Sequence, residues 1–220
     1  MSSPWLYALT VGPLGFYLWV LGLWHSHRYP KVVAGLLDFT FLAIGVGGVL
    51  AFGPFGRLLA RALFGEPDTL DWLVLVSGYG LVGTFLARRS LHRVVVYHVD
   101  PASLLLALED VLLENNGRFS RTLRGFEDVE RGSGLSVDTT PWLRSAVVEA
   151  HGRDAERLIR EVRPRLSERL RSVDVGPSPV AFGLFGLSMI VMLTPLVGQL
   201  ITQPRAREAL RVLLEKLRGV

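Results

Sequence analysis

The sequence predicts a membrane α-helical protein with about four transmembrane helices and an inserted α+β domain. The domain reads as a β-α-β-β-β-α two-layer sandwich on a mostly antiparallel sheet. Three observations predict this. Half of the 220 residues are hydrophobic, and charge is uneven: residues 32–56 hold one charged side chain, Asp38, and residues 175–204 hold none. Such runs exceed the roughly 18 apolar residues that mark a membrane-spanning helix. Between residues 91 and 176 the pattern changes to short β-branched runs and amphipathic helical ones. Arginines gather beside one set of ends of the apolar runs.

Residues 1–90 are expected to supply the first three membrane helices. The first apolar segment is Pro4–Trp24, with Trp5 and Tyr7 at one end and Trp19 and Trp24 towards the other. Aromatics at both ends match an interfacial belt. A signal peptide needs a basic start and a small-residue cleavage site. Here the chain begins MSSPW, and bulky His25, His27 and Arg28 follow the segment, so it is read as a retained helix, bent at Gly12-Pro13. The second segment is Val32–Phe52. Its Ala43, Gly47 and Ala51 recur every fourth residue, where another helix can approach closely. GPFGRLLARALFGEP follows as a short amphipathic interfacial piece. The third segment is Leu70–Ala87, rich in Ser77, Gly78, Gly80, Gly83 and Thr84.

Residues 91–176 read as a folded cytoplasmic domain. HRVVVYHV is a strand by its β-branched content. DPASLLLALEDVLLENNG is a helix: Asp100 is a good N-cap, Pro101 fits the first turn, and Asn116-Gly117 suits the C-cap. Leu104, Leu105, Leu108, Val111 and Leu112 make its apolar stripe. RFSRTLRGF, LSVDT and WLRSAVVEAH are three further strands, with the turn-rich EDVERGSG between the first two. In DAERLIREVRPRLSERLRSV, Ala155, Leu158, Ile159, Val162, Leu166, Leu170 and Val173 fall on one face, and Pro164 is expected to bend or split the helix. Two helices with one apolar face each are buried most economically on one face of the sheet.

Residues 177–203 hold the fourth membrane helix, with Val180–Ile201 as its apolar run. Residues 204–220 read as an amphipathic interfacial helix, with Leu210, Leu213, Leu214 and Leu217 on its apolar face. The arginines set the orientation. Arg28 and Lys31, then Arg88, Arg89 and Arg93, then Arg165, Arg169 and Arg171 share the cytoplasmic side of an inner membrane if the N-terminus is outside. The basic tail then falls outside, against the trend.

The chain has no cysteine, which excludes disulfides, thiolate metal sites and a cysteine nucleophile. The formal net charge is +4, but no basic run with interleaved aromatics points to nucleic acid. Arginines 153, 157, 160, 163 and 169 alternate with Glu156, Glu161 and Glu168, which reads as a solvated face with weak i,i+4 pairs; anionic lipid contact is the alternative. HExxH, GxSxG, GxxxxGK[ST] and GxGxxG are absent.

The candidate functional polar residues are His25, His27, Arg28, Asp38 and Arg88. His25 and His27 lie two apart in GLWHSHRYPK, so on a helix they point about 200° apart. A zinc site needs three or four ligands, and no metal, cofactor or catalytic residue is assigned. Asp38 is the one ionisable side chain inside an apolar segment, where an aspartate at a helix centre costs roughly 2.5–3.5 kcal/mol. Its distance from Lys31 sets it nearer the interface than the midplane. These features lead to an expected non-enzymatic membrane protein whose partners are the lipid bilayer and, through the 91–176 domain, another protein or a second copy. The alternatives are a small transporter or channel subunit using Asp38, and a membrane enzyme with an unfamiliar site.

Overall fold

Val32, Val33 and Ala34 open the second apolar run, and the fold takes them out of it. In the computed structural model, which describes residues 4–66, 68–114, 119–128, 132–202 and 208, they belong to a strand, β1 (Lys31–Ala34). Before it comes α1 (Pro4–His25); after it come α2 (Gly35–Phe52), α3 (Pro54–Phe64) and α4 (Thr69–Arg89). The remaining order is β2 (Arg93–Tyr97), α5 (Pro101–Glu114), β3 (Ser120–Thr122), β4 (Gly125–Asp128), β5 (Ser133–Thr140), β6 (Ser145–His151), α6 (Ala155–Leu170) and α7 (Pro179–Thr202).

The strands form one antiparallel sheet of six, ordered β1-β2-β6-β5-β4-β3. The sequence pattern shows four. One extra strand comes from RFSRTLRGF, which folds as the β3–β4 hairpin instead of one strand. Gly125 closes that hairpin at φ +151°, and a Cβ there would run into the Leu135 carbonyl. The other extra strand is β1, which lies outside residues 91–176. Its Val32 and Val33 stand opposite Val96 and Val95 of β2. β-branched side chains suit this pleated, half-buried surface.

One face of the sheet carries the main core. Val94, Val96, Phe126, Leu135, Ala146 and Val148 meet Leu104, Leu108, Val111 and Leu112 of α5 and Leu158, Ile159, Val162, Leu166 and Leu170 of α6. These are the stripes the 3.6-residue period marks. Asp100 caps α5, its Oδ2 accepting from the Ala102 and Ser103 amides at 3.1 and 3.2 Å. Pro164 does not split α6, which runs unbroken through it. The Asn116-Gly117 cap and the tail helix at 204–220 lie outside the described residues, apart from Glu208.

The apolar helices stand against the other side of the sheet. Val33, Val95 and Tyr97 pack there on Leu21 and Trp24 of α1. α1 lies between α7 and α2, and α4 lies on α2. Small residues let the backbones close up. A Cβ on Gly48 would stand 2.8 Å from the Leu9 and Thr10 carbonyls, and one on Gly22 would stand 2.8 Å from the Phe185 ring. Ser188 donates to the Gly15 carbonyl at 2.8 Å. The Ala43–Gly47 edge faces α4, where Tyr79 packs on Gly47 and donates to the Ala43 carbonyl at 2.6 Å.

Among the described residues, two helices are long and apolar enough to cross a membrane, over Ala8–His25 and Thr69–His92. α2 and α7 carry shorter apolar stretches, Gly35–Ala51 and Pro179–Thr194. The sheet takes the first three residues of the second apolar run, which leaves α2 18 residues long.

Candidate functional site at the junction of helices and sheet

The histidine pair shows how the junction is built. His25 ends α1 and is 2% exposed. His27 follows in the turn, half-buried, and its Nδ1–H donates to the Leu23 carbonyl at 2.7 Å. Its ring stands edge-on to Tyr29, centroids 6.0 Å apart. The two histidines therefore serve different surroundings. Among the described residues, no three His, Asp or Glu side chains gather as a metal cage would require.

Asp38 lies in the first turn of α2, under the sheet. It accepts a 2.5 Å hydrogen bond from the Tyr97 hydroxyl and another from Tyr17 of α1. Strand alternation explains how Tyr97 reaches it: Val95 and Tyr97 share the face turned towards the helices. Burial raises the Tyr97 pKa strongly, and the neighbouring Asp38 charge raises it further. Tyr97 thus remains a hydroxyl donor across the ordinary pH range. Its ring packs on Trp24 at 5.1 Å and meets the His25 ring edge-on at 5.4 Å.

His98 extends this cluster. It is fully buried and has φ +60°, a conformation in which histidine is over-represented among non-glycine residues. Its Nε2 lies 2.8 Å from the Gly176 carbonyl and 3.3 Å from that of Val175. A ring nitrogen facing two carbonyls carries a proton and donates to them, and Nδ1 is turned the other way. That Nδ1 is buried without a partner, as is Nδ1 of His25, whose ring lies 6.3 Å away. The Val175 amide in turn donates to the Arg28 carbonyl at 2.8 Å. The end of α1, the loop after it, the start of α2, the end of β2 and the linker into α7 therefore meet at one place.

Of the sequence candidates, the structure brings together His25 and Asp38, with Arg28 joined through its backbone. The Arg28 side chain is exposed, and Arg88 stands exposed in the last turn of α4. Tyr17, Tyr97 and His98 were not singled out from the sequence. Tyr97 and His98 end a β-branched strand, and a polar pair at the end of such a strand is the signal that was available. Tyr17 gives no signal, since one tyrosine in an apolar helix is ordinary. Chemically the cluster is a clasp. Two tyrosines donate to one carboxylate, and two imidazoles are held by packing and by backbone carbonyls.

No protein-family model, curated protein or solved structure matches this chain.

Proposed function

We propose that the chain is a multi-pass inner-membrane protein that holds its α+β domain at the cytoplasmic surface as a non-enzymatic docking module for another protein or a second copy. The observation that carries the membrane half is α4. None of its residues is buried, and Leu70, Leu73, Phe85 and Leu81 are 63–74% exposed. In water each such side chain forgoes roughly 1.5–3 kcal/mol of burial. A bilayer removes that penalty along the whole helix. The geometry is consistent with this arrangement. The sheet joins the end of α1, the start of α2, the end of α4 and the lead-in to α7, and Arg28, Lys31, Arg88, Arg89 and Arg93 sit at those same ends. By the bias of basic residues towards the cytoplasm, that end faces inward.

The docking half rests on what the domain leaves uncovered. Leu106 and Leu113 of α5, two turns apart, are 62% and 68% exposed on the face turned away from the core. Asp38 supports the non-transport reading, because its oxygens are engaged by Tyr97 and Tyr17 where helices and sheet meet. The test has two steps. The protein should stay with membranes through an alkaline carbonate wash. Solubilised in mild detergent, it should elute with a bound protein or as an oligomer, and Leu106→Glu with Leu113→Glu should return it to a bare monomer. Release by carbonate sinks the membrane half. A wild-type chain that is already a bare monomer sinks the docking half.

A further inference from the structure

A groove of about 580 Å³ runs between the β1 edge of the sheet and helix α6. Its floor is apolar, with Val32 and Ala34 of β1 and Ile159 of α6. Its α6 wall carries Arg160, Arg163 and Glu156, and Arg93 of β2 also lines it. Two of these cations have carboxylate partners. Arg93 pairs with Glu149 at 3.0 Å, and Arg160 pairs with Glu156 at 2.7 Å. Arg163 forms no ion pair among the described residues, so the groove has one uncompensated positive charge. Arg93 also keeps a buried Nε–H without a partner.

Two further features narrow the occupant. Pro164 is in the same wall. It has no N–H, so the carbonyl of Arg160 lacks its usual helical donor. At the other end of the groove are Leu36, in the first turn of α2, and Leu91, just after α4, 38% and 42% exposed. A molecule with a phosphate and hydroxyls at one end and hydrocarbon at the other matches both ends.

We infer that this groove seats the headgroup of an anionic, hydroxyl-bearing phospholipid, its phosphate at Arg163 and Arg160 and its acyl chains over Leu36 and Leu91. The inference rests on the membrane reading above, since only then do the ends of α2 and α4 lie at headgroup depth. Arginine suits the task because its planar fork matches phosphate oxygens in pairs. The site would fix the domain against the bilayer surface on the side opposite the clasp at Asp38.

The test uses the full chain in nanodiscs of phosphatidylcholine mixed with phosphatidylglycerol, with retained lipids read by native mass spectrometry. Phosphatidylglycerol should be retained over phosphatidylcholine. Arg163→Gln should cut that preference about fivefold, the effect of roughly one surface cation on an anionic lipid. Adding Arg160→Gln should cut it further. Arg157→Gln, on the same helix but outside the groove, removes the same charge and should leave the preference unchanged. Equal retention of both lipids, or an equal effect of Arg157→Gln, overturns the site while leaving the membrane reading intact. Displacement of the lipid by soluble glycerol phosphate at matched concentration overturns the lipid in favour of a free phosphate ester. A chain that never enters the nanodiscs overturns the membrane reading, and the site falls with it.

Discussion

Tyr97 joins the two parts of this molecule. Its hydroxyl reaches Asp38 of α2, and its ring touches Trp24 and His25 of α1. A hydrogen bond to a charged group contributes roughly 1.5–3 kcal/mol. Tyr97→Phe keeps the ring and removes that bond, so it should lower the stability of the detergent-solubilised protein by about that amount. Asp38→Asn keeps an acceptor for both tyrosines and should cost less. Thermal unfolding of the two variants checks the order. A silent Tyr97→Phe would mean that the ring alone supports the junction. Asp38 itself stood out in the sequence because it interrupts an apolar run. Its partners did not, because a tyrosine 59 residues away on a strand is paired with it only by the folded chain.

At the scale of elements, β1 is the piece that ties the helices to the sheet. It sits between α1 and α2 and, among the described residues, pairs with β2 at the end of the strand order. Val33 is 4% exposed in the seam with Leu21 and Trp24, while Val32 on the opposite face borders the main core. An aspartate at Val33 would bury an unpaired charge in that seam. Val33→Asp should therefore speed amide exchange over residues 31–34 and 93–97, and leave protection in α5 and α6 close to that of the parent. Loss of protection throughout the domain would show that the seam and the main core form one cooperative unit. α5 and α6 were legible in the sequence because each closes its own hydrogen bonds and shows its buried face every three to four residues. β1 was not. Three apolar residues at the head of an apolar helix have no period of their own, and only pairing with Val94–Val96 makes them a strand.

For the whole molecule, the arrangement predicts two opposite ends. α2 leaves the sheet at Gly35 and is 18 residues long, about 27 Å at helical rise, so α3 lies far from the domain. α7 runs antiparallel to α1, since Phe185 meets Gly22 and Met192 meets Gly15, and it too ends far from the sheet. The chain has no cysteine, so single cysteines report position without background. Under the proposed orientation, Trp142→Cys in the β5–β6 turn should react with a membrane-impermeant maleimide only from the cytoplasmic side. Leu63→Cys in α3 should react only from the other side. Labelling of both from one side would refute that the helices cross.

The sequence by itself determined the quantities that depend on neighbours along the chain. These are the apolar runs of α1 and α4, the amphipathic stripes of α5 and α6, and the Asp100 cap. The tertiary structure decided what depends on neighbours in space. It drew Val32–Ala34 out of a helix and into the sheet and folded RFSRTLRGF into a hairpin against β5. It also set Tyr17 and Tyr97 around Asp38. The physical reason is the same in each case. A helix satisfies its backbone locally, so its pattern is written in consecutive residues. A strand or a buried polar cluster is satisfied only by partners from distant parts of the chain, and their identity is fixed when the chain closes on itself.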